Sequence, residues 1–339
     1  MHVREIKNRI EWETFLAQQK FTPFVQSAKY IDFYHGLKET GFIVGVYENE
    51  KLLGGSVVVT THAKRGDFLY LPYGPVLPQE GKKQALEGLM AFLNQYAQQN
   101  SFVFIRVSPF LDDTEQNKEF FQEVGFRPAP MHVLAENTWI LDITSSEDAL
   151  LKSMNKNHRN LIHRSEKEGV LVTQSQNPEN LVSLDGLLNI TAQRHNFKRF
   201  SQKYIEEEFK NFLPNNVSYF ESFLPDGRLD SAAVIMFYGN MAAYRHSASL
   251  NLDKRLPTSY LLQWRVIQEA KKRGLQYYNF WGIAPRNAVK THPFSGITHF
   301  KKGFGGFSKD LLHCQDYPVS KKYWINWTIE TFRRRKRGF

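Results

Sequence analysis

Tyr277-Tyr278-Asn279-Phe280-Trp281-Gly282-Ile283, then a connection, then His299-Phe300-Lys301-Lys302-Gly303-Phe304-Gly305-Gly306-Phe307 is the stretch that decides the fold. Its first half is an aromatic run ending in glycine, the pattern of a strand covered on both faces that stops where the backbone turns sharply or approaches a ligand. Pro285, Pro293 and Gly296 interrupt the connection, which is expected to be an ordered loop without regular structure. The chain returns with two lysines ahead of Gly303, Gly305 and Gly306. Glycines there permit positive φ and close backbone approach, so the lysines can be held against an anion. A basic turn packed by Phe300, Phe304 and Phe307 accounts for the same residues, and the G-x-x-x-x-G-K-[ST] spacing of a phosphate loop is absent.

Upstream of this stretch, a helical pattern begins near Pro257 and stops at Gly274, with Lys271, Lys272 and Arg273 in its last turn. Before it lie a strand at 241–249 and a hairpin around Asp226-Gly227 that joins 217–224 to 232–238. The same order occurs earlier in the chain. Two helical patterns within 4–38, the second including Tyr30, Phe33, Tyr34 and Leu37, precede strands at 42–47 and 52–60 flanking Glu48-Asn49-Glu50-Lys51. A strand at 67–71 runs into Pro72-Tyr73-Gly74-Pro75-Val76, an amphipathic helix covers 82–100, and a short buried strand covers 102–107. The hairpin turns lie 177 residues apart and the buried strands 173 apart, which implies two copies of one α/β unit.

The 339 residues are comfortable for two domains, each large enough to bury a core. A hydrophobic content of 42% with 14% aromatics excludes a disordered chain. The balance of 44 Lys and Arg against 34 Asp and Glu, a net +10, points to a polyanionic partner: nucleic acid, nucleotide sugar, lipid diphosphate or acidic membrane. Apolar runs such as 56–60 fall far short of the ~20 residues of a membrane span, and the first residues have no apolar leader. Cys314 is the only cysteine, which excludes an intrachain disulfide and makes the cytoplasm the expected compartment. It sits in Leu311-Leu312-His313-Cys314, expected to be a strand, and is assigned to the core. There is no H-E-x-x-H, no paired-cysteine motif and no G-x-S-x-G, and His158 and His163 would point to different sides of a helix, so no metal site is expected.

Phe-Trp-Gly-Ile, a loop with proline and histidine, then Phe-Lys-Lys-Gly-Phe-Gly-Gly resembles the C-terminal signature of the Fem family, the aminoacyl-tRNA-dependent peptidyltransferases that build peptidoglycan cross-bridges. The resemblance extends more thinly over nearly the whole chain. It implies an α/β (α+β) fold of two tandem GNAT-like acyltransferase domains with mixed sheets. These are placed at 1–144, the acceptor side, and 145–318, with a basic C-terminal helix or tail at 319–339. Staphylococcal relatives carry a coiled-coil arm, for which this chain has no spare length. No R/Q-x-x-G-x-G/A segment is present to cradle coenzyme A, so acetyl-CoA is not the expected donor, and no cofactor is called for. The implied partners are aminoacyl-tRNA and a peptidoglycan precursor, a UDP-linked or lipid-linked muramyl peptide.

By the same resemblance Phe300 and Lys301 frame the reaction centre, with Lys301 stabilising the tetrahedral oxyanion and the departing ribose oxygen. Arg199 and Tyr204, following Arg194-His195-Asn196, take the places of substrate-contacting residues, and Tyr73 and Ser108 are counted with them. Ser108 is a departure. Relatives often end this strand with Asp-Pro, whereas here it reads Arg106-Val107-Ser108-Pro109, and serine carries no charge. A second departure lies in the first domain, where Asp32 and Tyr34 stand near a phosphate-binding lysine of one relative and Lys29 lies a turn earlier.

Two basic features remain. Within 149–169, Lys152, Lys156, Arg159, His163 and Lys167 recur at helical spacing and are expected to form one stripe, either a solvated face or a track of RNA phosphate contacts. Trp324 and Trp327 precede Arg333-Arg334-Arg335-Lys336-Arg337, either a helix docked by its aromatics or a peripheral contact with an anionic membrane. Two rival functions stay open: acyl or aminoacyl transfer to a lipid or small amine on the same doubled fold, and a non-enzymatic RNA-binding module. The second leaves the Phe-Trp-Gly and Phe-Lys-Lys-Gly-Phe-Gly-Gly arrangement idle.

Overall fold

The alternating apolar runs form strands and the 3.6-period runs form helices, in an order that repeats. The computed structural model describes residues 1–64, 66–195, 198–289 and 291–337. In the first half the elements are β1 (His2–Glu5), α1 (Arg9–Ala17), α2 (Ala28–Gly36), β2 (Gly41–Glu48), β3 (Lys51–Thr61), β4 (Phe68–Pro72), α3 (Lys82–Gln99), β5 (Phe104–Ser108), α4 (Glu115–Glu123) and β6 (Arg127–Pro128). They continue with β7 (Asn137–Asp142), α5 (Glu147–Ser153), α6 (Lys156–Lys167), β8 (Leu171–Ser175), α7 (Leu181–His195), α8 (Gln202–Phe212), β9 (Val217–Phe223), β10 (Leu229–Tyr238) and β11 (Met241–Ser249). The last elements are α9 (Ser259–Lys272), β12 (Tyr277–Gly282), α10 (Ser295–Lys302), β13 (Phe307–Asp310), β14 (Gln315–Pro318) and α11 (Tyr323–Arg337).

Two mixed sheets result. The first runs β1-β2-β3-β4-β5-β14-β6, and the second, read from its far edge, runs β8-β9-β10-β11-β12-β7-β13. In each, an antiparallel meander leads to one parallel pair, β4 with β5 and β11 with β12. A parallel pair needs a long crossover, and α3 and α9 supply it. The apolar face of α3 (Ala85, Leu86, Leu89, Leu93, Ala97) packs on Val44, Val58, Leu71, Ile105 and Val107. That of α9 (Leu261, Leu262, Val266, Ile267, Ala270) packs on Ile235, Phe237, Tyr278 and Phe280.

The chain divides into one unit of residues 1–19, 25–136 and 310–339 and another of 20–24 and 137–309. This differs from a split at 144 and 318 because the sixth place of each sheet is filled from outside the linear repeat. β14 pairs antiparallel with β5, and β7 pairs antiparallel with β12. A strand of four to six residues carries no local signal of which of two like sheets it joins. β1 went unread for a related reason: it is short and mostly exposed. The second unit carries no coiled-coil arm among the described residues. The run 311–314, expected as a strand, is mostly irregular, and the strand begins at Gln315.

Candidate functional site

The two parallel seams differ, and the difference marks a candidate site. In the first sheet β4 and β5 stay paired from Phe68 opposite Phe104 to Pro72 opposite Ser108. In the second, β11 and β12 are paired only from Met241 opposite Tyr277 to Ala243 opposite Asn279. Beyond that point β11 continues through Tyr244, Arg245 and His246, while β12 bulges and keeps company with β7, Gly282 opposite Thr138. The bulge is local and strained. Trp281 lies at φ 66°, the left-handed region that a tryptophan seldom occupies, and its N–H is taken by Asn279 Oδ1 at 2.8 Å.

Lys301 reaches this parting of strands. It is not in a glycine turn, as the sequence suggested, but in the last turn of α10. Pro293 and Gly296 do not prevent that helix, because Pro293 precedes it and Gly296 falls in its first turn, where backbone N–H groups have no intrahelical partner. The Lys301 side chain is buried, its Nζ donates to Gly282 O at 2.5 Å, and it stands 5.9 Å from the centre of the Tyr244 ring. Burial lowers its pKa from the ordinary 10.5 to about 7. Lys302, its neighbour, is exposed and lies over the Trp139 ring at 5.3 Å.

The Arg245 guanidinium lies 5.3 Å from the Trp281 ring and 5.4 Å from that of Phe200. The Arg245 charge is met by Glu208 at 3.0 Å, and Glu208 also accepts from His246 Nε2 at 2.7 Å. Burial works against the Glu208 carboxylate, but Arg245 and His246 hold its pKa down to about 2. Burial also lowers the pKa of His246, which donates as a neutral ring. Arg245 further donates to Tyr204 Oη at 3.1 Å. Glu208, Arg245 and His246 escaped sequence reading. The available signal was Arg-His inside the run Met-Ala-Ala-Tyr-Arg-His-Ser-Ala-Ser, because a guanidinium held on a buried strand requires a counter-ion.

The profile of the FemAB family matches residues 8–124, 130–221 and 228–331. The chain belongs to the FemAB family. Among relatives, it is 20% identical over 312 residues to a lipid II:glycine glycyltransferase of Staphylococcus epidermidis, covering 70% of this chain and 74% of that one. It is 22% identical over 232 residues to the aminoacyltransferase FemA of Staphylococcus aureus, covering 65% of this chain and 49% of that one. The crystal structure of FemX superposes with a TM-score of 0.84 over 97% of this chain and 100% of that one at 17% identity, a likeness of fold. A tandem GNAT protein from clavulanic acid biosynthesis gives a TM-score of 0.58 at 10% identity, covering 94% of this chain and 98% of that one.

The other residues singled out in this FemAB chain are dispersed. Tyr204 joins the Arg245 cluster, stacked on Phe200 at 4.4 Å. Arg199 is committed to α7, donating to Asp185 at 2.6 Å and Asn189 at 2.8 Å. In the other unit the Ser108 hydroxyl is buried, accepting from Tyr70 Oη at 3.0 Å and lying 3.6 Å from Cys314 Sγ. The Tyr73 hydroxyl donates to Ala135 O at 2.7 Å. Cys314 is fully buried, and burial pushes its thiol up to about 12, as befits a core cysteine.

The basic stripe is not one helix. The chain breaks between α5 and α6 at Met154-Asn155, where Asn155 caps α6. Lys152 belongs to α5, and Arg159 turns back to donate to Lys152 O at 2.9 Å and Met154 O at 2.5 Å, closing the carbonyl end of α5. Lys156, His163 and Lys167 remain exposed along α6. No cluster of three or more potential metal ligands occurs among the described residues.

Proposed function

We propose that this FemAB-family chain transfers an amino acid from aminoacyl-tRNA to an amine of a peptidoglycan precursor, a lipid- or nucleotide-linked muramyl peptide, in cross-bridge formation in the cytoplasm. One observation carries the reading: a buried lysine, titrating near neutrality, set where two parallel strands part. An aminoacyl ester is already activated, so the reaction asks mainly for positioning and charge stabilisation. The neutral acceptor amine attacks the ester carbonyl, a C–N bond forms, and the carbonyl oxygen becomes an oxyanion. Collapse expels the ribose oxygen, which ends with the proton released by the amine. The Lys301 ammonium, already aimed at a carbonyl oxygen, is suited to stabilise both oxyanion and departing oxygen. Phe300 precedes it as a wall of the same turn.

The relatives' names, a lipid II:glycine glycyltransferase and an aminoacyltransferase, support this substrate class. Lys156 and Lys167, with Lys152, offer phosphate contacts for tRNA, and the outer face of α11 offers a peripheral contact with anionic lipid. No described helix is long and apolar enough to cross a membrane. The deciding experiment incubates purified protein with labelled aminoacyl-tRNA pools and candidate muramyl peptides, with mass spectrometry of the product. The expected result is an added amino acid that disappears on RNase treatment. Product formation that survives RNase would discard the donor. Labelling of a phospholipid rather than a muramyl peptide would discard the acceptor.

A further inference from the structure

The last turn of α10 has a carbonyl that its own helix does not satisfy. Gly303 N–H bonds to His299 O, Phe304 N–H to Lys301 O and Gly305 N–H to Lys302 O, which passes over Phe300 O. That oxygen instead receives His158 Nε2 from α6 at 2.9 Å. A carbonyl can only accept, so Nε2 carries the hydrogen. One residue from the start of α6, Asn155 N–H donates to Gly303 O at 2.8 Å. The beginning of α6 therefore holds the end of α10 at two points.

The packing is specific to this arrangement. His158 is fully buried, with its ring edge-on to Tyr260 at 4.7 Å and to Phe304 at 4.9 Å. A Cβ at residue 303 would overlap the imidazole, so the first glycine of the Phe-Lys-Lys-Gly-Phe-Gly-Gly run is the space in which His158 sits. The rings around it are those of Tyr260 of α9, His299, Phe300 and Phe304, and among the described residues no carboxylate acts on its charge. His158 Nδ1 is buried without a hydrogen-bond partner. Protonating it would bury both a charge and an unpaired donor, and burial accordingly lowers the His158 pKa.

We propose that His158 is a positioning residue: as a neutral Nε2–H imidazole it caps Phe300 O and so fixes the turn from which Lys301 reaches Gly282 O. The proposal rests on the reading of Lys301 as the charge that serves transfer. It gives the basic helix α6 a task inside the site that is separate from any contact with RNA.

The test pairs His158→Phe, which keeps the ring and removes the donor, with His158→Gln, which retains an N–H, and places each in wild-type and Lys301→Met backgrounds. In the wild-type background His158→Phe is expected to lower kcat by about 10- to 100-fold with KM for both substrates nearly unchanged. His158→Gln should restore most of it, and His158→Phe should cost little more once Lys301 is Met. Losses that multiply across the two backgrounds would overturn the proposal, because a merely structural histidine acts whether or not residue 301 is lysine. A second readout is independent of turnover: competitive acetylation with acetic anhydride across pH, with Lys301 followed by mass spectrometry. The wild-type amine is expected to titrate near neutrality, and in His158→Phe its midpoint should move towards that of an ordinary lysine. An unchanged Lys301 profile in His158→Phe overturns the positioning role. If Lys301→Met alone leaves turnover intact, the transfer reading fails, while the acetylation profile still reports on His158.

Discussion

At Lys301 two demands oppose each other. Stabilising an oxyanion requires the charged form, and a buried position favours the neutral one, so the amine titrates near 7. Lys301→Met is expected to lower kcat by roughly 10²–10³-fold with tRNA affinity kept, and Lys302→Met to do far less because Lys302 is exposed. Equal mild losses would make the pair a basic surface. The cationic role also fixes a sign: kcat/KM should fall as pH rises through about 7. A profile that instead rises there would make the neutral amine a base. Stability should move the other way. The unfolded lysine keeps its proton up to about 10.5 while the folded one has released it above about 7, so stability rises with pH across that window, and Lys301→Met should flatten the rise in urea titrations. Glu208 gives the complementary case. Glu208→Gln leaves the buried Arg245 guanidinium without its counter-ion, a loss of about 3–5 kcal/mol at pH 7. Because the folded carboxylate titrates at about 2 against an ordinary 4.5, its contribution is present above 4.5 and fades as pH falls towards 2, where variant and wild type should converge. Wild type and variant equally stable at pH 7 would mean that the cluster does not hold β11. Of these residues the sequence showed Lys301 through its motif. Glu208 is the last of three consecutive glutamates on α8, and only the fold reveals which of them turns inward.

The helices show where periodicity succeeds and where it misleads. The α3 and α9 patterns were legible because each buries one continuous apolar face. The 149–169 stripe was legible as spacing but not as structure, since Asn155 is a helix start that the run of basic residues conceals. With Arg159 closing α5, charge reversal at Lys156 and Lys167 is the cleaner probe of RNA contact. It should weaken tRNA binding and reduce the slope of its logarithm against that of salt by roughly one per lost contact. An unchanged slope would leave these lysines to solvent. The α11 helix is docked by some of its aromatics, as one tail reading expects: Trp327 packs with Tyr323 on Val103 and Phe104, while Trp324 stays exposed. Tyr323 and Asn326 are buried, and Glu330 joins Asp316 on Arg106, whereas Trp324, Ile325 and Phe332 face outward with Arg333, Arg334 and Arg335. Removing 333–339 should leave melting temperature and turnover of soluble substrate unchanged while weakening binding to anionic vesicles. Vesicle binding equal with and without those residues would dispose of the membrane contact.

For the molecule as a whole, the doubled order of elements was written in the sequence and the ownership of strands was not. Hairpin turns and capped helices are local, and they repeat visibly. The pairings of β14 with β5 and of β7 with β12 join segments far apart in the chain, and nothing within either strand specifies its partner. The consequence is testable. A fragment of residues 1–144 contains most of the first sheet but lacks β14, which covers the edge of β5, and Asp316, which meets the buried Arg106 guanidinium at 2.7 and 2.9 Å. The fragment also lacks Leu312, Tyr317 and Tyr323, which cover a face of this unit's core, and opening such a face is a loss of the order of the whole stability of a marginal domain. The fragment should therefore show no cooperative thermal transition by near-ultraviolet circular dichroism. Residues 1–136 joined by a short linker to 310–339 should regain one, because Leu311 N–H donates to Glu136 O at 2.7 Å and the two ends already meet. A cooperative transition in 1–144 as sharp as that of the joined chain would show that β14 and α11 are additions to a sheet that folds without them. Failure of both pieces would instead make the first unit dependent on the rest of the chain.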